Sequence, residues 1–290
     1  MKIFTFFNEK GGTGKTTLTV LFASWLAYCK KHNVRVVDCD YPSFQLAAMR
    51  KLEVAYMKED PLSPMARLAT LSAPYPLGKA MVKERFAKAD LERIASEIRR
   101  QCSGDGYMLL DFPGRFLAGD PAYDLIQRGM IDLIAFPIDT DRQSRAAALN
   151  TWREIRKINP SQKMVFVWNR ETAQERRGTK DWYSAADAAF RGAGIEVAAT
   201  RVRDVLIARR DSTTFGFIRS TMCFPEANVR RACPSLLPLF EEMKARLDGT
   251  FTKDMYARLR ALKDLRDLQE ENNGSINEGG NTDAKKENDN

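Results

Sequence analysis

Residues 8 to 17, NEKGGTGKTT, follow the apolar run KIFTFF and lead into a stretch of helical period. A chain that passes from strand to helix through three closely spaced glycines is committed to a βα unit there. Glycine takes the close, left-handed backbone that such a loop needs. Counted back from Gly14-Lys15-Thr16, the stretch fits the phosphate-loop pattern G-x-x-x-x-G-K-[ST], except that Glu9 stands where the first glycine belongs and Lys10 follows it. Gly11, Gly12, Thr13 and Gly14 would turn their N–H groups inward, and the helix N-terminus adds partial positive charge, so the loop suits a triphosphate. Lys15 would reach the β- and γ-phosphates, Thr16 would offer its hydroxyl to Mg²⁺, and Thr17 would lie beside the α-phosphate.

The rest of the chain repeats the alternation. Short β-branched or aromatic runs at 2–7, 34–39, 107–111, 132–137, 163–168 and 195–199 read as strands. Between them, helical periods fall at 15–30, 83–101, 142–158 and 179–192, with two more at 234–247 and 252–269. The segment 56–82, with Pro61, Pro64, Pro74 and Pro76, reads as irregular. The expected fold is α/β: a doubly wound, mostly parallel sheet flanked by helices on both faces. The expected domains are an ATPase domain over 1–250, a helix over 251–270 that packs on it or extends from it, and an acidic, disordered tail over 271–290.

Apolar runs are all shorter than a membrane span, and the N-terminus does not read as a secretory signal, so a cytoplasmic protein is expected. Five scattered cysteines without a C-x-x-C, and a single histidine, exclude a disulfide framework or a cysteine-bound cluster. The net charge is +8, and the stretch from Glu271 to Asn290 holds five acids against Lys285 and Lys286, so the body is more basic than the total. A basic body favours a polyanionic partner, and charge alone does not separate nucleic acid from an anionic membrane.

A phosphate loop needs carboxylates at neighbouring strand ends to hold Mg²⁺ and its waters. YMLLDFPG offers Asp111 and VRVVDCDYPS offers Asp38 and Asp40, two residues apart and so on one side of a strand end. One of that pair would serve the metal through water and the other could orient the attacking water.

K-G-G-T-G-K-T-T, the D-C-D after the second strand and the D-F-P-G after the third resemble the ParA/MinD family of deviant Walker A ATPases, most nearly a small ParA partition ATPase without an N-terminal helix-turn-helix. The likeness continues more loosely through DLIAFPID and KMVFVWNR to about residue 220. It implies that Lys10 crosses a homodimer interface to phosphates bound in the other subunit, that Asp40 orients the water, and that Asn169 meets adenine. It also implies a partner protein that stimulates hydrolysis. Two positions differ from the family: Glu9 stands where glutamine is frequent, and Phe112 where a small or hydroxylated residue is common.

The loop alone does not say what such a switch acts on. Arg201, Arg203, Arg209, Arg210, Arg219, Arg230 and Arg231 face only Asp204, Asp211 and Glu226 over residues 201–231, and arginine forks well onto phosphate oxygens. The expectation is an ATP-bound dimer that binds DNA nonspecifically, sits on the nucleoid and serves plasmid, chromosome or mobile-element partition. A MinD-like membrane-positioning role would use FTKDMYARLRALKDLRDLQE as an amphipathic helix, but Asp254, Asp264 and Asp267 dilute its charge. A regulator of conjugative transfer or replication would use the same switch.

Overall fold

Strand β1 (Lys2–Phe6) sends Phe4 and Phe6 into one apolar layer and Ile3 into another, the period-two alternation of a sheet buried on both faces. In the computed structural model, which describes residues 1–79, 88–172, 174–175, 180–204 and 219–262, five further strands join it. They are β2 (Val34–Asp38), β3 (Leu77–Lys79), β4 (Tyr107–Asp111), β5 (Leu133–Ile138) and β6 (Met164–Trp168). All pair in parallel, in the order β3-β2-β4-β1-β5-β6. The described helices are α1 (Lys15–Ser24), α2 (Gln45–Glu59), α3 (Pro64–Ala69), α4 (Lys88–Gln101), α5 (Pro121–Gln127), α6 (Arg142–Ile158), α7 (Lys180–Gly192), α8 (Glu226–Ala232) and α9 (Leu236–Asp248).

One face of the sheet packs α1, α8 and α9 through Phe22, Val229 and Phe240; the other packs α4 to α7 through Ile98, Ile126, Ile155 and Phe190. Helix α1 continues into a wide π turn, Trp25–Cys29, which buries the adjacent Trp25 and Leu26 together.

Two expectations are corrected. Residues 56–79 form the end of α2, then α3 and β3, while 80–82 lie outside the described residues: Pro64 opens α3 at a position where its missing N–H costs nothing, and the Ser63 hydroxyl accepts the Ala66 N–H at 3.2 Å. Residues 195–199 do not form a sheet strand. Ala198 N–H does reach the Phe166 carbonyl, but the next N–H groups, Ala199 and Thr200, donate instead to the Glu242 carboxylate. Contact with β6 resumes only at Val202, whose N–H reaches the Trp168 carbonyl.

The chain divides into a unit Met1–Thr250 and a second from Phe251 onward. The latter is described as far as residue 262, with a helix over 253–262. Among the described residues no helix is long and apolar enough to cross a membrane.

Glu242, fully buried on α9, also accepts from Arg246 Nε at 3.0 Å. Glu242→Ala strands two buried amides and takes one of the two carboxylates that Arg246 meets, and should cost about 2–4 kcal/mol of stability, read as a lower urea midpoint with unchanged slope.

Candidate nucleotide site

Strand β1 lies between β4 and β5, where the strand order reverses direction, and the crevice beyond its carboxyl end is where an open parallel sheet takes ligands. The glycine loop emerges there. Asn8, fully buried, fixes its start: Nδ2 donates to the Pro137 and Ser144 carbonyls at 2.9 and 3.3 Å, and Oδ1 accepts the Lys10 N–H at 3.0 Å. Glu9 is not among the residues of positive φ, so the position does not call for glycine, and its side chain leaves the loop for α6, accepting the Thr151 hydroxyl at 2.7 Å. Gly12 and Gly14 have φ of 78° and 95°. A Cβ on Gly14 would also sit 2.5 Å from Asn169 Nδ2, so Gly14 is required for both backbone and space.

Asp38 and Asp111 end neighbouring strands in direct register. Both are fully buried, but their surroundings differ. Asp38 accepts the N–H groups of Asp40 at 3.2 Å and of Ala47, in the first turn of α2, at 3.1 Å. Burial still raises its pKa above the usual carboxylate value. Neither Asp111 oxygen has a well-formed hydrogen bond, although the Thr16 hydroxyl lies close enough to favour the charged form. Burial, with Asp38 and Asp40 nearby, pushes the Asp111 pKa up to about 7, and the neighbouring Thr16 hydroxyl and Lys15 ammonium offset only part of this. Asp40 lies past the strand end in a turn, where its carboxylate accepts the Ser43 hydroxyl at 2.7 Å.

A hydrated Mg²⁺ fits this donor set. Among the described residues no group of three or more His, Cys, Asp or Glu could hold a metal unaided, and Mg²⁺ is an ion that takes few protein ligands and keeps several waters. The two unpaired oxygens of Asp111 beside Thr16 are what its coordinated waters would satisfy. Phe112 does not intrude, because its ring is buried and meets Phe7 edge-on at 6.4 Å.

Lys15 Nζ donates across the loop to the Lys10 carbonyl at 3.3 Å, and burial lowers its pKa against the pull of Asp111 and Asp40. Lys10 turns the other way, its Nζ donating to Gln143 Oε1 on α6 at 2.8 Å. Beside the loop, Gly14, Thr17, Asn169, Arg203 and Asp204 line a groove. Asn169 Nδ2 donates to the Thr13 carbonyl at 2.7 Å. That carbonyl can only accept, so the amide is oriented with Oδ1 left to accept from an exocyclic amino group such as adenine's.

The seven arginines read as one phosphate-contacting group occupy different environments. Arg201 is 4% exposed, paired with Asp187 at 3.3 Å and Glu171 at 3.6 Å and stacked on Tyr183, so this candidate is a core residue and is withdrawn from the DNA set. Arg203 lines the groove, and Arg219 Nη1 donates to Thr17 Oγ1 at 3.1 Å. Arg230 and Arg231 project from α8, contacting Glu226 and Asn228. Arg209 and Arg210 lie outside the described residues. Asn8 was not legible as a site residue, and Arg219, read as a DNA candidate, was not legible as a neighbour of the loop, since the partners that place them lie more than a hundred positions away.

The sequence profile of the CobQ/CobB/MinD/ParA nucleotide binding domain matches residues 4–273. Among solved structures, apo McdA from Cyanthece is 13% identical over 85% of this chain and 99% of its own, with a TM-score of 0.53. The MinD cell division protein of Aquifex aeolicus is 14% identical over 84% and 97%, at 0.52. A plasmid partition protein from Borrelia burgdorferi is 14% identical over 64% and 86%, at 0.46. At these identities the likeness to the McdA and MinD structures is one of fold. No curated protein matches the sequence.

The raised pKa of Asp111 has a definite sign. Between about 4 and 7 the folded chain keeps a proton that the unfolded chain releases, so stability falls as pH rises through that window and levels off above it. Asp111→Asn removes the buried charge, and its advantage over wild type should grow by roughly 2–3 kcal/mol from pH 5 to pH 8 in urea melts. The same variant should lose Mg²⁺-dependent nucleotide binding. Parallel pH profiles for the two proteins would refute the assignment.

Proposed function

This chain belongs to the CobQ/CobB/MinD/ParA nucleotide-binding domain family, and from that premise we propose that it is an ATP-dependent dimerising switch that hydrolyses ATP slowly and binds DNA nonspecifically. Lys10 carries the reading. It sits in an otherwise intact phosphate loop, yet its ammonium points to Gln143 and away from its own loop. An ammonium held there is available to a second copy, where it would meet phosphates bound by that copy's Gly11 to Thr17. ATP then becomes part of the interface, and its hydrolysis releases the dimer.

Each residue has a task in this reading. Lys15 and the loop N–H groups hold the β- and γ-phosphates, and the second copy's Lys10 adds charge where the phosphoryl transition state spreads its own. Bound Mg²⁺ would neutralise charge across the phosphates, held by Thr16 directly and by Asp38 and Asp111 through water. Asp40, half-buried and past the strand end, would orient the attacking water, and Asn169 would accept from adenine. The exposed Arg230 and Arg231, with Arg203, Arg219 and, outside the described residues, Arg209 and Arg210, are the remaining candidates for DNA phosphates. The net charge of +8 favours such a partner. The role proposed is partition of a plasmid, chromosome or mobile element, in the cytoplasm and on the nucleoid, with a second protein stimulating hydrolysis.

Light scattering should show ATP- and Mg²⁺-dependent dimers of the wild type, absent in Lys10→Ala and in Lys15→Ala. A wild type that stays monomeric with ATP would sink the proposal. Asp40→Ala should keep ATP and trap the dimer, with turnover falling by about tenfold or more. ATP-bound Asp40→Ala should co-sediment with unrelated DNA sequences in a strongly salt-dependent manner and leave anionic liposomes behind. The reverse partition would make the surface it acts on a membrane.

A further inference from the structure

Arg219 is placed with more care than a surface arginine needs. Its guanidinium donates to Thr17 Oγ1 at 3.1 Å, and among the described residues it pairs with no carboxylate. The backbone that follows it is pinned from three elements. The Ser24 hydroxyl on α1 donates to the Ser220 carbonyl at 2.5 Å. Tyr28 on the π turn and Arg50 on α2 both donate to the Thr221 carbonyl at 2.8 Å. Glu53 on α2 accepts the Thr221 N–H at 3.0 Å and its hydroxyl as well. Ser220 and Thr221 are 1% and 0% exposed, and Glu53 is held in the same interior although burial raises its pKa. A buried carboxylate is a costly way to fasten a connecting segment. The arrangement makes sense where the residue at its end must stand at a fixed point.

That point is the second hydroxyl after the loop lysine. Thr17 stands in the first turn of α1, beside the place where the α-phosphate of a loop-bound nucleotide would lie. Lys15 serves the β- and γ-phosphates, so the α-phosphate has the loop's dipoles but no cation from the loop itself. A guanidinium donates several N–H bonds in a planar fork, and the bond to Thr17 uses only one of them. We propose that Arg219 is a nucleotide-binding residue of this chain's own site, its guanidinium contacting the α-phosphate over Thr17, with Arg50 and Glu53 as the residues that position it. The proposal rests on the reading of the loop as a nucleotide site. It moves Arg219 from the DNA-contacting set to the phosphate set. Because the α-phosphate is common to ATP and ADP, Arg219 sets affinity for both and does not tell them apart.

The test is calorimetric titration of full-length protein with MgADP and MgATP, using Arg219→Gln, Arg219→Lys and, as a surface control, Arg153→Gln. ADP is included because its binding needs no dimer. Arg219→Gln should bind both nucleotides about tenfold or more weakly, by a similar factor for each, with Arg219→Lys intermediate and Arg153→Gln unchanged. In the ³¹P spectrum of bound ADP, the α-phosphorus resonance should move in Arg219→Lys while the β resonance moves less, a signature that general loosening of the fold would not give. Wild-type affinity for both nucleotides in Arg219→Gln would overturn the proposal, as would loss of ATP affinity alone. A wild type that binds neither nucleotide would overturn the reading of the loop itself.

Discussion

A carboxylate with both oxygens buried and unpaired is a standing cost to a fold, and Asp111 is such a group. What surrounds it makes sense as the setting of a site that is completed by a ligand. Asp111 is held by the register of β4 against β2, which also brings Asp38 alongside it. Thr16 and Lys15 come from the start of α1, whose approach is fixed by Asn8 at one end of the loop and Asn169 at the other. The positive charge of Lys15 and the raised pKa of Asp111 are two sides of one desolvated pair of environments. A hydrated cation and a polyphosphate relieve both at once. In the proposed switch, binding is therefore coupled to the stability of the sheet's carboxyl edge.

Much of this was legible in the sequence, and what was legible shared one property: the signal was local. A strand, a glycine loop and a helix in succession are read within fifteen residues, and aspartates at strand ends are read from the runs that precede them. The failures were non-local. Helix α2 went unseen because only Leu46 and Glu53 on it are buried, so no apolar stripe marks it. Strand β3 is only Leu77–Lys79, too short to show a period. Residues 195–199 carry a good strand pattern, yet Glu242, more than forty positions away, takes the N–H groups that a continuing ladder would use. Arg201 looked like its neighbours in an arginine-rich stretch, and only the fold brings Glu171 and Asp187 to it.

Helix α2 links the parts of the site that local patterns do not. Its first turn donates an N–H to Asp38, and its middle holds Thr221 through Glu53 and Arg50. The carboxylate at one side of the crevice and the arginine at the other are thus fastened to one rigid element. A polar network of this kind is satisfied only in one arrangement, because each partner left behind in the interior would be an unpaired buried group. A shift of α2 would move Asp38 and the stem of Arg219 together. If Arg219 holds the α-phosphate as proposed, the helix would link the Asp40 turn to that contact.

The dispersal of the arginines alters the physical case for a DNA partner. Read as one stretch, seven guanidinium groups suggest a single phosphate-contacting surface, and their count sets the expected salt dependence. In the structure Arg201 is consumed in the core, Arg219 meets the nucleotide loop, and Arg203 lines the groove beside Asn169. The residues that remain free to meet an external polyanion include the pair on α8, each with only a local exposed contact to exchange for a phosphate. Fewer contacts per chain make a weaker footprint, so a single copy would hold DNA poorly and two copies side by side would hold it substantially better. In the proposed function, a sparse arginine set of this kind would make DNA affinity depend on dimerisation. That dependence would put DNA binding under ATP control without any change of shape at the DNA-contacting surface itself.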